Sequence, residues 1–461
     1  MPLVRSVSGV RGIVGDGLSP ALVRRYAATF AMRGGTIAVA QDARSSGLWL
    51  AQAALAGIRA GSAMPLYLGM CATPAAQVAV EKLRAAGGIV ITASHNPDGW
   101  NGLKFVNPDG TFLAPEEMQA LFAGVDARPE AGEEADLEAD LAGRVPWQQE
   151  AVAWHVECAR QGVGLAPGDL AGAKLRVVVD GCRSVGGLST VRALRSVGAL
   201  VVELDCEPDG RFTRGPEPLP ENLGGLGGRV RETRSHFGVA HDPDGDRAAL
   251  VDEHGEAVGE ERTLALAVSE ELERHPGPVV VNLSTSMASA DLARAAGVAF
   301  HRSPVGERHV VGLMREVGAK IGGEGNGGVI LPAAHWGRDG TVAALLAARA
   351  VASAHEPFSA LVSRLPRYEM VKRKIEGVDW GRSKEAVRAA FADAEADGTD
   401  GWRFAWPREW IHVRPSGTEP VVRVIAEAPT RERAEALCER AQAALREEAS
   451  GERAKPARDR P

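Results

Sequence analysis

One pattern recurs along most of this chain: a short apolar run, a loop rich in glycine, aspartate, serine or asparagine, then a helical stretch. Thr36 to Ala40 precede Gln41-Asp42-Ala43-Arg44-Ser45-Ser46-Gly47, and Gly88 to Ile91 precede a loop around Ser94. Leu175 to Val179 lead into Asp180-Gly181, and Val279 to Leu283 into Ser284-Thr285-Ser286. Strands alternating with helices at this spacing predict α/β units with mixed, largely parallel sheets. Ligands of such sheets bind beyond the carboxyl ends of the strands, where these polar loops fall.

With 461 residues the chain exceeds one ordinary core and predicts three or four domains. A boundary is expected near 150, after the acidic, turn-rich stretch Ala123 to Ala142 and Pro146-Trp147. Others are expected near 255, at the turn Asp252-Glu253-His254-Gly255, and near Leu365-Pro366. The units are then 1–150, 151–255, 256–366 and a smaller α+β unit, 367–448. In that last unit Arg367 to Ile375, Trp410 to Val413 and Val421 to Glu427 read as extended, and Ser383 to Ala394 and Arg431 to Glu448 as helical. The polar tail 449–461 reads as disordered.

A hydrophobic content of 45% with 25% charged residues is that of a globular chain, and a net charge of −7 argues against a general nucleic-acid binder. An anionic substrate must therefore meet a local positive site. The start of the chain lacks a signal-peptide pattern, and no apolar run approaches the length of about 18 residues that a membrane span needs. The five cysteines are scattered without a CxxC pair, which fits a reduced cytoplasm and a role as small buried hydrophobes.

Four loops carry groups suited to chemistry. In Thr92-Ala93-Ser94-His95-Asn96-Pro97-Asp98-Gly99, a serine at a strand exit sits on backbone shaped by Asn-Pro and Asp-Gly turns. Its hydroxyl needs help to act as a nucleophile, and His95 and Lys104 are the candidate helpers; a polar turn is the plainer reading. In His241-Asp242-Pro243-Asp244-Gly245-Asp246-Arg247 the alternate aspartates can converge on one hard cation. A calcium EF-hand would use Asp242, Asp244, Asp246 and Glu253, but its sixth position is Arg247 and the flanks read as strands. Magnesium is favoured, with a solvated acidic turn as the alternative. Gly322-Gly323-Glu324-Gly325-Asn326-Gly327-Gly328 lets backbone approach a ligand, with Glu324 and Asn326 suited to sugar hydroxyls, or is simply a glycine turn. Arg414-Pro415-Ser416-Gly417-Thr418-Glu419-Pro420, with Arg423 behind, makes a compact phosphate cradle or a structural turn.

These four strings, in this order, resemble the α-D-phosphohexomutase superfamily from Ser8-Gly9-Val10-Arg11-Gly12 to about Glu427. The resemblance implies four domains around a central cleft, each offering one loop. It implies that Ser94 carries a phosphoryl group, that Asp242, Asp244 and Asp246 hold Mg2+ together with the Ser94 phosphate, and that Arg11 and Arg247 flank the transferring group. Glu324 and Asn326 would hold sugar hydroxyls, while Arg414, Ser416, Gly417 and Thr418 would hold the non-reacting phosphate. The implied reaction interconverts hexose 6-phosphate and hexose 1-phosphate through a 1,6-bisphosphate, which also serves as activator. The enzyme would be cytoplasmic, a monomer or homodimer, acting on a phosphosugar without nucleic-acid or membrane partners.

The glycine loop departs from the Gly-Glu-Met-Ser-Gly-His form of phosphoglucomutase/phosphomannomutase enzymes, with Asn326 for serine and Gly328 for histidine. Gln41 stands where glycine is frequent. Glu-x-Asn-Gly and Val305-Gly306-Glu307-Arg308 are closer to phosphoglucosamine mutases, and Glu307 is suited to face a 2-ammonium group. The expected substrate is therefore glucosamine 6-phosphate, with glucose or mannose phosphates next. An aspartate-nucleophile phosphatase built on Asp242 is the competing class.

Overall fold

The computed structural model describes residues 3–128, 146–417 and 421–447. The acidic stretch beyond residue 128, Thr418 and the tail lie outside these residues.

Four sheets follow one another along the chain. In the first, Thr36–Gln41 lies between Met64–Met70 and Gly87–Ile91, both parallel to it. Trp100–Val106 then turns back antiparallel on Gly87–Ile91, and Gly9–Val14 pairs with its far side. The second sheet centres on Arg176–Asp180, parallel to Leu200–Leu204 and Phe237–His241, with Ala248–Asp252 antiparallel at its edge. The third repeats this plan: Val279–Asn282 is parallel to Phe300–Ser303 and Ile321–Glu324, and Gly328–Ile330 returns antiparallel. The fourth is antiparallel throughout, with strands Glu369–Glu376, Val421–Ala428, Glu409–Pro415, Trp402–Trp406 and Glu395–Asp397 in spatial order.

Side chains alternate across a strand, and each sheet of the first three units uses both faces. Ile37 and Val39 enter one core while Ala38 and Ala40 enter another on the opposite face. Val177 and Val179 of the second sheet share one continuous core with Val279 and Val281 of the third. The helix Gly340–Ala354, buried on nearly every side, runs through that shared core. Asp339 starts this helix, its carboxylate accepting from Thr341 N and Val342 N at 2.7 and 3.2 Å, which satisfies amides that a helix leaves unpaired. The fourth unit keeps a core of its own, between its sheet and the helices Trp380–Ala390 and Arg431–Glu447.

Each of the four loops singled out in the sequence lies in a hairpin between adjacent antiparallel strands. Residues 92–99 follow Gly87–Ile91, 242–247 follow Phe237–His241, 325–327 follow Ile321–Glu324, and the described start of the fourth loop, 416–417, follows Glu409–Pro415. In the first three units the hairpin grows from a parallel strand's carboxyl end, so the loops emerge where a ligand is expected.

Candidate active site

Ser94 has a left-handed backbone, with φ of 52°. That conformation is unfavourable for a residue with a side chain, so it must be held from outside. Arg44 supplies much of that hold. Its η nitrogens donate to the carbonyls of Ser94 and Asn96, each at 2.7 Å, and to those of Pro97 and Trp100 at 2.8 and 3.0 Å. Its Nε meets Asp42 at 3.1 Å, and Asp42 also accepts from Thr92 Oγ1, the atom that receives Ser94 N–H. The loop is thus fixed from the end of Thr36–Gln41, and Ser94 Oγ is directed at Asp242 Oδ2, 3.3 Å away.

Asp242, Asp244 and Asp246 are buried, and one oxygen of each lies within 4.8 Å of the others. Lys104 reaches in from the strand after Ser94 to Asp244 Oδ2 at 2.6 Å and Asp246 Oδ2 at 2.9 Å. Thr73 Oγ1 donates to the same Asp244 oxygen at 2.8 Å. Three buried anions this close cannot all ionise cheaply. Burial, then the charges of Asp246 and Asp244, hold Asp242 well above the ordinary carboxylate range. Asp246 goes the other way: burial opposes ionisation, but Arg338 and Lys104 outweigh it. Burial likewise works against the Lys104 ammonium, and Asp244 and Asp246 raise it regardless.

A divalent cation fits this donor set. Asp244 Oδ1 and Asp246 Oδ1 are buried without a hydrogen-bond partner, the arrangement expected of oxygens that serve a hard metal. The EF-hand fails here on structure as well, because the loop joins strands and Glu253 accepts instead from Ser359 N at 3.0 Å.

His95 Nδ1 is 3.5 Å from Ser94 Oγ. Burial, then the charges of Arg247 and Arg11, hold its imidazole well below the ordinary range, so it is neutral at pH 7. Arg11 donates to Asn96 Oδ1 at 3.0 Å; burial pulls its guanidinium down to about 10, still protonated. Arg247 lies 3.8 Å from Asp242 Oδ2, 3.7 Å from Asp246 Oδ1 and 3.0 Å from Glu217.

The glycine loop is stitched to the aspartate loop. Ala248 N donates to Gly327 O at 3.1 Å, and a Cβ on Gly327 (φ +82°) would stand 2.2 Å from Ala248 O. Only glycine permits that approach. Glu324 Oε1 accepts from Asn282 at 2.8 Å and Gly306 N at 3.0 Å, and Oε2 from Arg338 at 2.7 Å. Asn326 Oδ1 accepts from Gly328 N at 3.2 Å. Glu307, read in the sequence as facing a substrate ammonium, meets Gln77 Nε2 at 3.2 Å and Arg338 Nε at 3.0 Å.

In the fourth unit Arg414 and Arg423 stand opposite each other on neighbouring strands. Ser416 N closes the turn on Val421 O at 2.9 Å, and Gly417 follows, exposed. Arg414 Nε pairs with Asp400 at 3.0 Å.

Among the residues of this assembly not picked out from the sequence, two arginines bind its parts together. Arg338 joins Asp246 (2.7 Å), Glu307 and Glu324, and so binds the aspartate loop to the glycine loop. Its signal was Arg338-Asp339-Gly340 ahead of an apolar helix. Arg44 had the Asp-x-Arg end of a buried strand. A second group of buried potential ligands among the described residues, His155, His335 and Asp339, is explained by hydrogen bonding: both imidazole Nε2 atoms meet Asp339 Oδ2, at 2.7 and 3.1 Å.

A strained serine facing a buried aspartate cluster, with glycine and arginine loops on neighbouring units, defines the phosphohexomutase class of isomerase. Models of the phosphoglucomutase/phosphomannomutase alpha/beta/alpha domains I, II and III match residues 3–131, 158–255 and 260–368, and that of the C-terminal domain matches 370–444. The chain belongs to the phosphoglucomutase/phosphomannomutase family. It is 36% identical over 445 residues to a "probable phosphoglucosamine mutase" of Methanopyrus kandleri, covering 93% of this chain and 95% of the relative. It is 33% identical to a phosphoglucomutase/phosphomannomutase of Thermococcus kodakarensis, covering 92% and 94%. A crystal structure of a family protein from Burkholderia thailandensis superposes with a TM-score of 0.82 at 27% identity, over 98% of each chain. Among the described residues no helix is long and apolar enough to cross a membrane.

Proposed function

We propose that Ser94 is a reversible phosphate carrier through which this phosphohexomutase interconverts hexose 6-phosphate and hexose 1-phosphate, with glucosamine phosphate the first substrate to test. The observation that carries it is Ser94 Oγ, held in a strained turn 3.3 Å from Asp242 in the aspartate cluster.

Phospho-Ser94 gives its phosphoryl group to a sugar hydroxyl. The new O–P bond forms as the Oγ–P bond breaks, and the hydroxyl proton passes to a base. Neutral His95 is suited to take it, while the Lys104 ammonium, Arg11 and Arg247 stabilise charge on the phosphoryl oxygens. Asp242, Asp244, Asp246 and the Ser94 phosphate would hold Mg2+, which supplies Lewis-acid neutralisation of that charge. The resulting 1,6-bisphosphate turns within the cleft, and Ser94 Oγ recovers phosphate from the other end. Glu324 and Asn326 would hold hydroxyls, and Arg414, Ser416, Gly417, Thr418 and Arg423 the idle phosphate.

The name of the Methanopyrus relative and the Glu-x-Asn-Gly loop support an amino-sugar substrate. One observation favours a neutral hexose instead: Arg338 already occupies Glu307 and Glu324, placing a cation where an ammonium would sit. Comparing kcat/KM for glucosamine 6-phosphate, glucose 1-phosphate and mannose 1-phosphate decides between them. For the carrier, Ser94→Ala should abolish both turnover and the phosphate mass gained from hexose 1,6-bisphosphate. Full turnover in Ser94→Ala would overturn the reading, and a hydroxylamine-labile phosphate on Asp242 would establish the phosphatase instead.

A further inference from the structure

A run of polar contacts leads from Lys104, on the strand after Ser94, through the aspartate and glycine loops to Arg414, and its last link lies outside every motif described so far. Lys104 holds Asp246, Asp246 holds Arg338, and Arg338 holds Glu324. Glu324 in turn receives Gly306 N. The neighbouring amide, Val305 N, donates to Asp400 Oδ2 at 3.1 Å, and the same carboxylate pairs with Arg414 Nε. Asp400 belongs to the turn between Glu395–Asp397 and Trp402–Trp406, remote in sequence from all of these.

The turn is built for close approach. Gly401 has φ of +77°, and a Cβ there would lie 2.4 Å from Val413 O and 2.7 Å from Arg414 Cβ. The Asp400 carbonyl is itself held by His412 Nε2 at 2.6 Å, and His412 Nδ1 meets Ser284 Oγ of the third unit at 2.8 Å. Asp400 is therefore anchored by backbone and carboxylate at once. A guanidinium carries five N–H donors, and pairing through Nε leaves its η edge outside this contact.

We infer that Asp400 is a positioning residue for the phosphate-binding arginine: it fixes the direction of Arg414 and couples it to the Val305-Gly306 turn beside Glu324. The inference rests on the phosphohexomutase reading of the Arg414 loop. An unheld arginine must be ordered by each incoming ligand, and that cost appears in ligand affinity. The chemistry at Ser94, in the first unit, does not draw on this contact.

The test is Asp400→Asn in the full chain, which keeps an oxygen for Val305 N and removes the charge facing Arg414. KM for glucose 1-phosphate or glucosamine 6-phosphate should rise about tenfold, as expected for loss of a charge-assisted hydrogen bond, with kcat within about threefold. Phosphate incorporation at Ser94 should match wild type at saturating hexose 1,6-bisphosphate. Calorimetric Kd for glucose 1-phosphate should weaken in parallel, a readout that needs no turnover. Arg414→Gln added to Asp400→Asn should cost little beyond Arg414→Gln alone. The neighbouring Asp397→Asn, where the carboxylate accepts from Thr399 N and Oγ1 within its own turn, should leave KM unchanged. Wild-type KM and Kd in Asp400→Asn, or fully additive losses with Arg414→Gln, would overturn the inference. A wild-type chain that takes up no phosphate on Ser94 would instead sink the carrier reading, and Kd would still decide the role of Asp400.

Discussion

Replacing Arg338 by methionine removes one guanidinium from three carboxylates: Asp246 at 2.7 Å, Glu307 at 3.0 Å and Glu324 at 2.7 Å. All four side chains are at least nine-tenths buried. Breaking a buried ion pair from one side costs about 3–5 kcal/mol, mostly because the remaining charge is stranded. The three pairs do not triple that figure, since stranded carboxylates can take up protons. For a folding unit of 150–250 residues, about 2–4 °C of melting temperature accompanies each kcal/mol, so the fall should be about 6–20 °C. The assay is calorimetry of the transition in which the joined core of the second and third units melts. The pH dependence gives the sharper check. In the wild type, burial works against the Glu324 carboxylate but Arg338 and the hydrogen bond from Asn282 lower it overall. A depressed carboxylate stabilises the fold above its unfolded pKa, and that stability is lost as pH falls through the folded value. In Arg338→Met this group has lost its cation, so the deficit should be largest near pH 7 and shrink as pH drops towards 5. A variant that melts within about 2 °C of wild type at pH 7, or whose deficit widens on acidification, would refute the electrostatic account.

Arg44→Met strands the carbonyls of Ser94, Asn96, Pro97 and Trp100 and frees the serine turn; displacement of a reacting group by about 1 Å can cost roughly a hundredfold in rate. Steady-state kcat should fall by about that factor with KM little changed, and a wild-type kcat would show that the turn holds itself. Glu261, pushed up to about 8 by burial despite Lys372 and Ser286 N, predicts an opposite pH trend. Its contribution to stability is present below its unfolded pKa and is lost as pH rises towards 8. Glu261→Gln should therefore flatten the stability profile between about pH 4.5 and 8 and raise the melting temperature at pH 9, measured by thermal denaturation.

The architecture was legible where the signal is local. Apolar runs with polar exits located Thr36–Gln41, Arg176–Asp180 and Val279–Asn282 to within a residue or two, because a strand buried on both faces has few alternatives. The site strings placed Ser94 beside Asp242 once the family resemblance supplied the geometry. What the sequence did not reveal depends on assembly. The roles of Arg338 and Arg44 depend on partners drawn from several distant chain segments. Glu307 has the residue type to meet an ammonium, but its partners Gln77 and Arg338 lie far away in sequence and were not foreseeable. The merging of the second and third cores was equally invisible, since a turn at Asp252 to Gly255 looks the same whether or not the sheets beyond it share an interior.

That shared interior has a mechanical consequence. Prising the two middle sheets apart would expose Val177, Val179, Val279 and Val281 and the helix between them to water, at about 25 cal/mol per Å2 of apolar surface. The fourth sheet meets the third partly through polar pairs: His412 on Ser284, Glu427 on Met287 N, Arg403 on Leu283 O. Its apolar core closes upon itself. Sheets two and three therefore form one apolar block, and the arginine-bearing sheet is tied to it through a seam of buried polar contacts rather than a shared apolar interior.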